Sequence, residues 1–386
     1  MDCEVLVVGG GPAGATAARF LASKGIETVL IERNLFFNKP CGGGIPSAGL
    51  KELGLLEDIL ENIPVKSIRK IKIVPPFSSP IEVDFKGGEI LVVNRLLFDS
   101  FLRNIAKKNG AKLLESELID LKILTRRFNA TVKKKEGDIL NISAKYVVAA
   151  DGINSRVCSL TGVKKPDYCW TLTFHLPSSL SKMDDTIEFW FDSSHASYFY
   201  SWVFPGVDYI SVGTGAEQVN KLIPLMDNFL KKRFLASLDE LREKFFPKLK
   251  VYRIPKWSNN TFYRGNIIFC GDACGLTMPV SFEGIYYSMK SGQFVAEALL
   301  EKNLKLYETL WKDRFLRQFR IMKKFQDLIF VNDKKMDEWL NIHREPAIQE
   351  LAMAIWLRKE RGRDLMPLYF KAFQSIISRI VPFRLK

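Results

Sequence analysis

The first hundred residues alternate between short apolar runs and amphipathic stretches. The opening segment, CEVLVVGGGPAGATAARFLASKGIETVLIER, predicts a strand, a glycine turn, a helix ending near Gly25 and a second strand ending at Glu32. Helical spacing of apolar residues returns in NRLLFDSFLRNIAKKNG and predicts a helix over residues 95–108, with Gly110 at its end. This order of elements is typical of α/β domains with a parallel sheet.

The rest of the chain mixes β-like and helical patterns. Further strands are predicted at residues 67–74, 81–85, 187–191, 198–204, 209–213 and 266–269. Further helices are predicted at residues 48–62, 222–238 and 284–300. Apolar residues after residue 300 also recur at helical spacing. The α/β pattern is thus interrupted, resumed and interrupted again. We therefore predict an α/β fold in which a discontinuous Rossmann-like domain carries an inserted antiparallel-sheet domain and a C-terminal helical region.

The glycine turn has the spacing of a dinucleotide-binding fingerprint, Gly9-x-Gly11-x-x-Gly14. The first glycine allows the tight turn, the second lets the backbone approach a pyrophosphate, and the third lets the helix pack on the strand. Glu32 ends the second strand, where an acidic side chain accepts a hydrogen bond from an adenosine ribose. Together these features predict that the unit binds a dinucleotide.

A cysteine lies between a proline and three glycines directly after this unit, in FFNKPCGGGIPS. Consecutive glycines cost conformational entropy and are kept where the backbone must pass close to another group. Local composition alone leaves a surface loop as the alternative. Cys41, Gly42, Gly43 and Gly44 are therefore candidates for a close crossing at a binding site.

The chain of 386 residues carries a formal net charge of +14, and its last part is strongly basic. Residues 302–386 hold 19 Lys and Arg against 10 Asp and Glu. This excess would suit nucleic acid, an anionic membrane or a phosphorylated substrate. The segment LYFKAFQSIISRIVPFRLK has an apolar stripe flanked by Lys371, Arg379, Arg384 and Lys386, which fits either a lipid surface or the protein's own core. We expect no nucleic-acid partner, because no recognition fold accompanies the charge.

The sequence shows no sign of secretion or of a membrane span. No apolar run approaches the ~18 residues of a spanning helix, and the run from Val5 to Val8 is too short for a signal peptide. We expect a cytoplasmic protein, with peripheral contact to the inner face of the cell membrane if the basic C-terminal helices bind lipid. Six scattered cysteines and three histidines make a metal site or a disulfide framework unexpected.

Four motifs follow one another in a fixed order along the chain. They are Gly9-x-Gly11-x-x-Gly14, Arg95-x-x-Phe98-Asp99-x-x-Leu102, Asp151-Gly152 with Ser155 and Arg156, and Gly271-Asp272 with Pro279. This set resembles the flavoprotein family of aromatic hydroxylases, flavin halogenases and geranylgeranyl reductases. The resemblance implies FAD as the cofactor. It also implies an FAD-binding domain of residues 1–66, 92–165 and 253–305, a substrate-binding sheet domain of residues 67–91 and 166–252, and a helical region of residues 306–386.

The resemblance further implies which residues contact FAD. The implied set is Gly9, Gly11, Ala13, Gly14, Glu32, Arg33, Cys41, Gly42, Gly43, Gly44, Arg95, Asp151, Asp272, Gly284 and Ile285. Asp272 follows an apolar strand and can accept hydrogen bonds from a ribityl chain. The helix that starts near Gly284 points its N-terminal N–H groups toward the flavin edge where negative charge collects on reduction. A solvated helix residue is the alternative for Arg95, and an ordinary turn is the alternative for Asp151.

Two further features resemble the geranylgeranyl reductase branch of that family. The segment Lys39-Pro40-Cys41-Gly42-Gly43-Gly44 is similar to the branch's loop over the flavin ring, and Tyr200-x-Trp202-x-Phe204-Pro205 is similar to its aromatic motif lining a prenyl-chain cavity. An ordinary sheet core is the alternative for the aromatic motif. Two positions depart from the branch, because Ser197 replaces a usual proline and Phe282 replaces a usual glycine.

The resemblance implies an FAD-dependent reductase that saturates isoprenoid C=C bonds of a geranylgeranyl lipid or prenyl diphosphate. An isolated alkene has no carbonyl to polarise it, so a hydride from reduced flavin and a proton from a weak acid must reach adjacent carbons. Cys41 is the candidate acid, because a cysteine thiol is mostly protonated near neutral pH; a gating role is the alternative. Tyr200 and Trp202 are the other candidate catalytic residues.

The electron donor and two rival functions stay open. No second glycine fingerprint appears, so a ferredoxin-like protein or a transiently bound NAD(P)H is the expected reductant. A flavin-dependent halogenase or monooxygenase is one rival, although Tyr200 and Phe204 replace the Trp and Ile of the halogenase motif, and Gly275 and Tyr286 replace a His and an Asn common in hydroxylases. A membrane-docked electron-transfer flavoprotein that reduces quinone is the other, but the cysteine cluster of such proteins is missing.

Overall fold

A computed structural model describes residues 1–180, 185–258, 260–360 and 362–380. Its strands are β1 (Asp2–Val8), β2 (Thr28–Glu32), β3 (Gly44–Pro46), β4 (Val65–Ile68), β5 (Lys70–Val74), β6 (Ile81–Asp84), β7 (Ile90–Val93), β8 (Lys112–Ile123), β9 (Phe128–Lys134), β10 (Ile139–Ala149), β11 (Tyr168–Pro177), β12 (Thr186–Trp190), β13 (Ser201–Pro205), β14 (Tyr209–Ala216), β15 (Lys250–Pro255), β16 (Tyr263–Arg264) and β17 (Ile267–Phe269). Its α-helices are α1 (Pro12–Ala22), α2 (Ser47–Glu52), α3 (Leu56–Asn62), α4 (Arg95–Lys108), α5 (Arg156–Thr161), α6 (Leu222–Phe234), α7 (Leu238–Phe245), α8 (Ile285–Leu300), α9 (Leu304–Trp311), α10 (Arg317–Ile329), α11 (Asp333–Asn341), α12 (Pro346–Trp356) and α13 (Met366–Ile380).

The first compact unit comprises residues 1–39, 95–169 and 253–323. Its sheet has a parallel core in the order β8, β2, β1, β10, β17, to which β9 and β16 add antiparallel pairings. Helices α1 and α8 pack closely, since a Cβ on Gly292 would lie 2.2 Å from the carbonyl oxygen of Ala13. This is the predicted Rossmann-like arrangement, and the predicted fold class is confirmed.

The second compact unit comprises residues 40–94, 170–252 and 324–386. Its larger sheet has the order β15, β11, β14, β13, β12, β5, β6, and a smaller sheet has the order β3, β7, β4. The strand pairing is antiparallel for β11 with β14, β14 with β13, β13 with β12 and β5 with β6, whereas β12 pairs with β5 in parallel. Helix α6 covers one face of the larger sheet, where Met226 and Phe229 pack in one buried cluster with Phe174.

Several predicted elements differ from the observed ones for local reasons. The helix predicted at residues 48–62 is two helices, because Gly54 adopts a φ of +61° between α2 and α3. The strand predicted at residues 67–74 is split between β4 and β5, which belong to different sheets. Helix α6 ends at Phe234, because Leu235 turns the chain with a φ of +55°, and Ser237 then starts α7 through a capping box with Glu240. The strand predicted at residues 198–204 begins only at Ser201.

The compact units divide the chain at other positions than the predicted domains. Residues 40–66 and 92–94 were predicted within the FAD-binding domain, but β3 and β4 pair with β7 and so belong to the second unit. The predicted helical region of residues 306–386 is shared, with residues up to 323 in the first unit. The functional division into three regions stays a prediction. Arg384 and Lys386 of the predicted basic stripe lie outside the described residues, as does the side chain of Arg379.

All three histidines of the chain are held in the neutral form by burial. Burial lowers the pKa of His175 and of His195 to about 4, and it also lowers the pKa of His343. The His195 side chain is 1% exposed, and its Nδ1 lies 2.9 Å from Oγ of Ser201. An unfolded chain binds these protons near pH 6.5. The unfolded state therefore binds more protons than the folded state between pH 6.5 and pH 4.

We expect the free energy of unfolding to fall as the pH drops through this window, because the stability present above pH 6.5 is lost toward the folded pKa. His195 alone should contribute about 2 kcal/mol between pH 7 and pH 5. Urea denaturation at several pH values measures this slope, and His195→Gln should be less stable at pH 7 but should have a shallower slope. An equally steep slope in the variant would contradict the assignment.

Candidate functional site

The glycine turn of the first unit leaves open space at the start of α1. Gly9 has a φ of +103°, and a Cβ there would lie 2.4 Å from the carbonyl oxygen of Ala150. A Cβ on Gly14 would lie 1.9 Å from the carbonyl oxygen of Gly9. By contrast, no atom lies within 4 Å of a Cβ built on Gly11 in the described part of the chain. The turn is therefore tight against its own sheet and open on the side where a helix N-terminus favours an anion.

Glu32 is held beside this turn by backbone donors. Its Oε2 accepts a hydrogen bond from the N–H of Gly10 at 2.7 Å, and its Oε1 accepts one from the N–H of Asn34 at 3.0 Å. Each carboxylate oxygen keeps a second acceptor site. The carboxylate is thus fixed at the end of β2 with acceptor capacity left, as a ribose contact requires. The neighbouring Arg33 is exposed.

Helix α4 carries a buried row of charged side chains. Arg95 makes a bidentate pair with Asp99, with N···O distances of 3.0 and 2.9 Å. One turn further on, Arg103 donates to the carbonyl oxygens of Gly10 at 3.3 Å and of Leu35 at 2.7 Å. Arg103 therefore joins the glycine turn to the chain that follows β2. The sequence analysis placed Arg95 at the site and missed Arg103, whose only signal was its spacing of eight residues from Arg95 on one helix.

The Asp151-Gly152 turn packs against the same glycines. A Cβ on Gly9 would lie 2.7 Å from Cα of Asp151. The Oδ2 of Asp151 accepts hydrogen bonds from the N–H groups of Arg156 at 2.6 Å and Val157 at 3.1 Å. Its Oδ1 is buried and has no hydrogen-bond partner among the described residues. Burial raises the pKa of the Asp151 carboxyl above its usual range.

Asp272 and the start of α8 complete the first unit's site. Gly271 has a φ of +58°, and a Cβ there would lie 2.8 Å from Cβ of Ala13, so the Gly271-Asp272 turn packs directly on α1. Asp272 Oδ2 accepts a hydrogen bond from Nζ of Lys39 at 2.5 Å. A Cβ built on Gly284 would lie 3.6 Å from Asp272 Oδ1 and 3.5 Å from Thr277 Oγ1. The carboxylate therefore lies beside Gly284, the N-cap residue at the start of α8.

The chain just before α8 is strained at Phe282, where the sequence departs from the geranylgeranyl reductase branch that it resembles. Phe282 has a φ of +50°, and Val280 has a φ of +70°. Glycine adopts this left-handed region at little cost, whereas other L residues pay roughly 1–2 kcal/mol there. The glycine that the resemblance leads one to expect at position 282 would suit this backbone.

These residues fit an FAD molecule on the evidence of their own unsatisfied groups. Thr277 Oγ1 is buried and, like Asp151 Oδ1, has no hydrogen-bond partner in the part of the chain that the structure describes. Buried polar atoms are normally hydrogen-bonded, so these two atoms are available to the polar groups of a ligand. The open space over Gly11 and the N-terminus of α8, where Gly284 has no side chain to cap the helix, add two anion-favouring positions. Thr277 and Lys39 were not among the predicted cofactor-binding residues.

The second unit holds the Cys41 loop. The N–H of Gly43 donates to Sγ of Cys41 at 3.3 Å, and Gly43 has a φ of +77°. A Cβ on Gly43 would lie 2.4 Å from the carbonyl oxygen of Val93, and a Cβ on Gly42 would lie 2.6 Å from the ring of Phe204. A Cβ on Gly44 would lie 3.2 Å from the same ring. The three glycines predicted a close approach of the backbone to another group, and in the second unit that group is Phe204 for Gly42 and Gly44 and Val93 for Gly43. An approach of these glycines to the flavin stays a prediction.

Phe204 belongs to an aromatic cluster in the second unit. The cluster comprises Phe189, Phe191, Phe199, Tyr200, Trp202 and Phe204, whose neighbouring ring centroids lie 4.8–6.2 Å apart. Trp202 lies over Gly213, where a Cβ would be only 1.9 Å from its indole ring. Tyr200 precedes β13 and still contacts Phe189 edge to face at 4.9 Å. The loop that carries the cysteine therefore packs against a broad apolar surface.

The fold and the first unit's site define a flavoprotein, and comparison with known proteins gives its family. Residues 2–302 match the family model of the FAD binding domain. The chain belongs to this family, its cofactor is FAD, and it is an FAD-dependent oxidoreductase.

Two relatives cover almost the whole chain. A geranylgeranyl diphosphate reductase from Synechocystis is 29% identical over 93% of this chain and 93% of its own length. A digeranylgeranylglycerophospholipid reductase from Methanocaldococcus jannaschii is 28% identical over 97% of this chain and 98% of its own length.

Two solved structures share the fold. A geranylgeranyl bacteriochlorophyll reductase-like protein from Thermoplasma acidophilum has a TM-score of 0.78 at 23% identity and covers 98% of both chains. A flavin-dependent brominase has a TM-score of 0.72 at 16% identity and covers 98% of this chain and 99% of its own. At these identities the structural likeness shows the fold alone, so the substrate has to be argued from the second unit.

Proposed function

We propose that the protein saturates isoprenoid C=C bonds of a geranylgeranyl lipid or prenyl diphosphate, with electrons from FAD. The observation that carries the proposal is the packing of Gly42 and Gly44, which follow Cys41, on the ring of Phe204 in the aromatic cluster. Aromatic rings offer a large apolar surface that suits a prenyl chain. One relative is named as a reductase of geranylgeranyl diphosphate and the other as a reductase of a digeranylgeranylglycerophospholipid. These names support the same substrate class.

The proposed chemistry divides the two hydrogens between cofactor and protein. Reduced FAD supplies a hydride equivalent when bound. Cys41 gives its thiol proton to the adjacent alkene carbon, so the C=C bond becomes CH–CH and a thiolate remains. The N–H of Gly43, 3.3 Å from the sulfur, is placed to stabilise that thiolate. Tyr200 and Trp202 orient the apolar chain and exclude water from the reacting carbons.

The proposal includes an external electron donor and contact with a lipid surface. A ferredoxin-like protein or NAD(P)H would supply the electrons from outside. Contact with a lipid surface is supported by Phe370 and Phe373, which are exposed on α13 on either side of the buried Ala372, with the exposed Lys371 between them. Among the helices described, none has the length and apolar character needed to cross a membrane.

Anaerobic single-turnover spectroscopy tests the proposed substrate class. The reduced holoenzyme is mixed with geranylgeranyl diphosphate, with a digeranylgeranyl glycerophospholipid, or with the fully saturated analogue of each. We expect the absorbance of oxidised flavin to return with at least one unsaturated compound and with neither saturated one. Reoxidation that needs oxygen and is indifferent to the prenyl compounds would contradict the proposal and favour a halogenase or monooxygenase.

A further inference from the structure

Two side chains of β14 reach the chain around Cys41 from one face of the sheet. Ser211 Oγ donates a hydrogen bond to the carbonyl oxygen of Cys41 at 3.3 Å, and the Ser211 side chain is fully buried. Tyr209 Oη donates to the carbonyl oxygen of Val93 at 3.4 Å. Residues two apart on a strand point to the same face. The strand therefore contacts the Cys41 loop and its neighbour β7 with adjacent polar groups.

These contacts converge on the backbone that holds the sulfur. The N–H of Val93 donates to the carbonyl oxygen of Gly43 at 3.0 Å. Gly43 in turn donates its N–H to Cys41 Sγ. Ser211 fixes the peptide on one side of Gly42, and Tyr209 supports Val93 on the other. The position of the thiol is thus fixed through the carbonyl oxygens of Cys41 and Val93 and through the N–H of Gly43.

His175 supports Tyr209 from the neighbouring strand. It lies opposite Ser211 in the β11–β14 ladder, and its ring stacks on that of Tyr209 with centroids 4.2 Å apart. Burial, with a smaller contribution from Cys41, raises the pKa of Tyr209 to about 12, and burial lowers the pKa of His175 to about 4. Tyr209 consequently keeps its O–H, and His175 stays neutral, at pH values between these two pKa values. The support does not change with pH in that range.

We propose that Ser211 is a positioning residue for Cys41, and that Tyr209 supports it by holding Val93. The proposal rests on the proposed function, in which Cys41 gives the proton. A proton donor has to be held within hydrogen-bond reach of the atom it serves. Glycine-rich backbone does not hold such a position by itself, because glycine has the greatest conformational freedom to lose. The Ser211 hydrogen bond supplies the missing restraint at the cysteine itself.

The test uses the holoenzyme with Ser211→Ala, which removes one hydroxyl and adds no volume; turnover is measured on the reduced form without oxygen, and hydrogen exchange on the oxidised form. One hydrogen bond contributes about 0.5–1.5 kcal/mol, so we expect kcat to fall about two- to thirteenfold with KM unchanged. Hydrogen exchange measured by mass spectrometry should show faster exchange in the peptide covering residues 40–46 and not elsewhere. Ser211→Thr keeps the hydroxyl and should restore slow exchange and kcat.

A matched control makes the same chemical change in the first unit. Ser116 is buried on β8, and its hydroxyl has no hydrogen-bond partner within the described ranges. Ser116→Ala should therefore leave the exchange of residues 40–46 and kcat as they are. Melting temperature and FAD content are measured on every variant, so a folding defect is recognised as such.

The possible outcomes separate this inference from the proposed function. Unchanged exchange at residues 40–46 in Ser211→Ala overturns the positioning role, whatever the activity. Faster exchange throughout the variant also overturns it, because the role would then be general stability. If the wild-type protein reduces no alkene, the proposed function fails, and the exchange data still decide whether Ser211 holds the loop.

Discussion

Replacement of Cys41 by alanine is expected to lower kcat for alkene reduction by about 10²–10⁴-fold, the range that general acid catalysis contributes. The reason is that no carbonyl activates the double bond, so hydride transfer to one carbon without a proton donor leaves a carbanion-like centre on the adjacent carbon. FAD content should stay the same, because the first unit's glycine turn, Glu32 and Asp272 are untouched. The measurement is the rate of flavin reoxidation by the prenyl substrate under anaerobic conditions.

Two further variants make the Cys41 result interpretable. Cys41→Ser keeps a hydrogen-bonding group in the loop but offers a much weaker acid, so its rate should lie close to that of alanine. Cys3→Ala makes the same atomic change at a cysteine that is buried on β1, and it should keep the wild-type rate. Wild-type turnover in Cys41→Ala would remove the proposed proton donor and leave a gating role for the loop.

Gly14→Ala is expected to abolish FAD binding, because its Cβ would lie 1.9 Å from the carbonyl oxygen of Gly9. The clash forces α1 away from β1 and from the turn that faces the cofactor. Overpacking of this kind costs about 1–3 kcal/mol, so the protein's melting temperature should fall as well. FAD fluorescence titration of the protein freed of cofactor measures the affinity, and thermal unfolding measures the stability.

Gly11→Ala is the matched partner of Gly14→Ala. Its Cβ would meet no described atom within 4 Å, so the fold has no reason to lose stability. That same space is the one predicted for the pyrophosphate, so FAD affinity should fall about 100-fold or more, a loss of about 2.8 kcal/mol of binding free energy. Unchanged affinity in Gly11→Ala would contradict the predicted position of the pyrophosphate.

The features that the sequence predicted well are the ones that depend on neighbouring residues. The turn from Gly9 to Gly14 and the acid at Glu32 lie within one strand–helix–strand unit, and α4 has the predicted bounds. The capping box of Ser237 and Glu240 was also a local signal, and α7 could have been found from it. The split of the helix predicted at residues 48–62 depended on the conformation of Gly54, which sequence spacing does not determine.

The features that the sequence analysis missed depend on contacts between distant residues. Lys39 meets Asp272 across 233 positions of chain, Arg103 meets Gly10 across 93, and Ser211 meets Cys41 across 170. Nothing in the residue types marks these pairs, because lysine, arginine and serine are common on any surface. Only the packing of strands and helices brings them together. The strand–helix–strand unit with its glycine turn was therefore predictable from the sequence, and the long-range groups that fix its parts were not; which residues contact FAD stays a prediction.

Mass spectrometry of the prenyl product tests the central claim most directly. The reduced holoenzyme is incubated without oxygen with the geranylgeranyl compound that reoxidises it, and the product is extracted. We predict a mass gain of two hydrogens for each double bond reduced, one from the flavin and one from the proton donor. A compound that returns unchanged while the flavin is reoxidised would contradict the account, as would a product that gains an oxygen or a halogen atom when the same incubation is run in air.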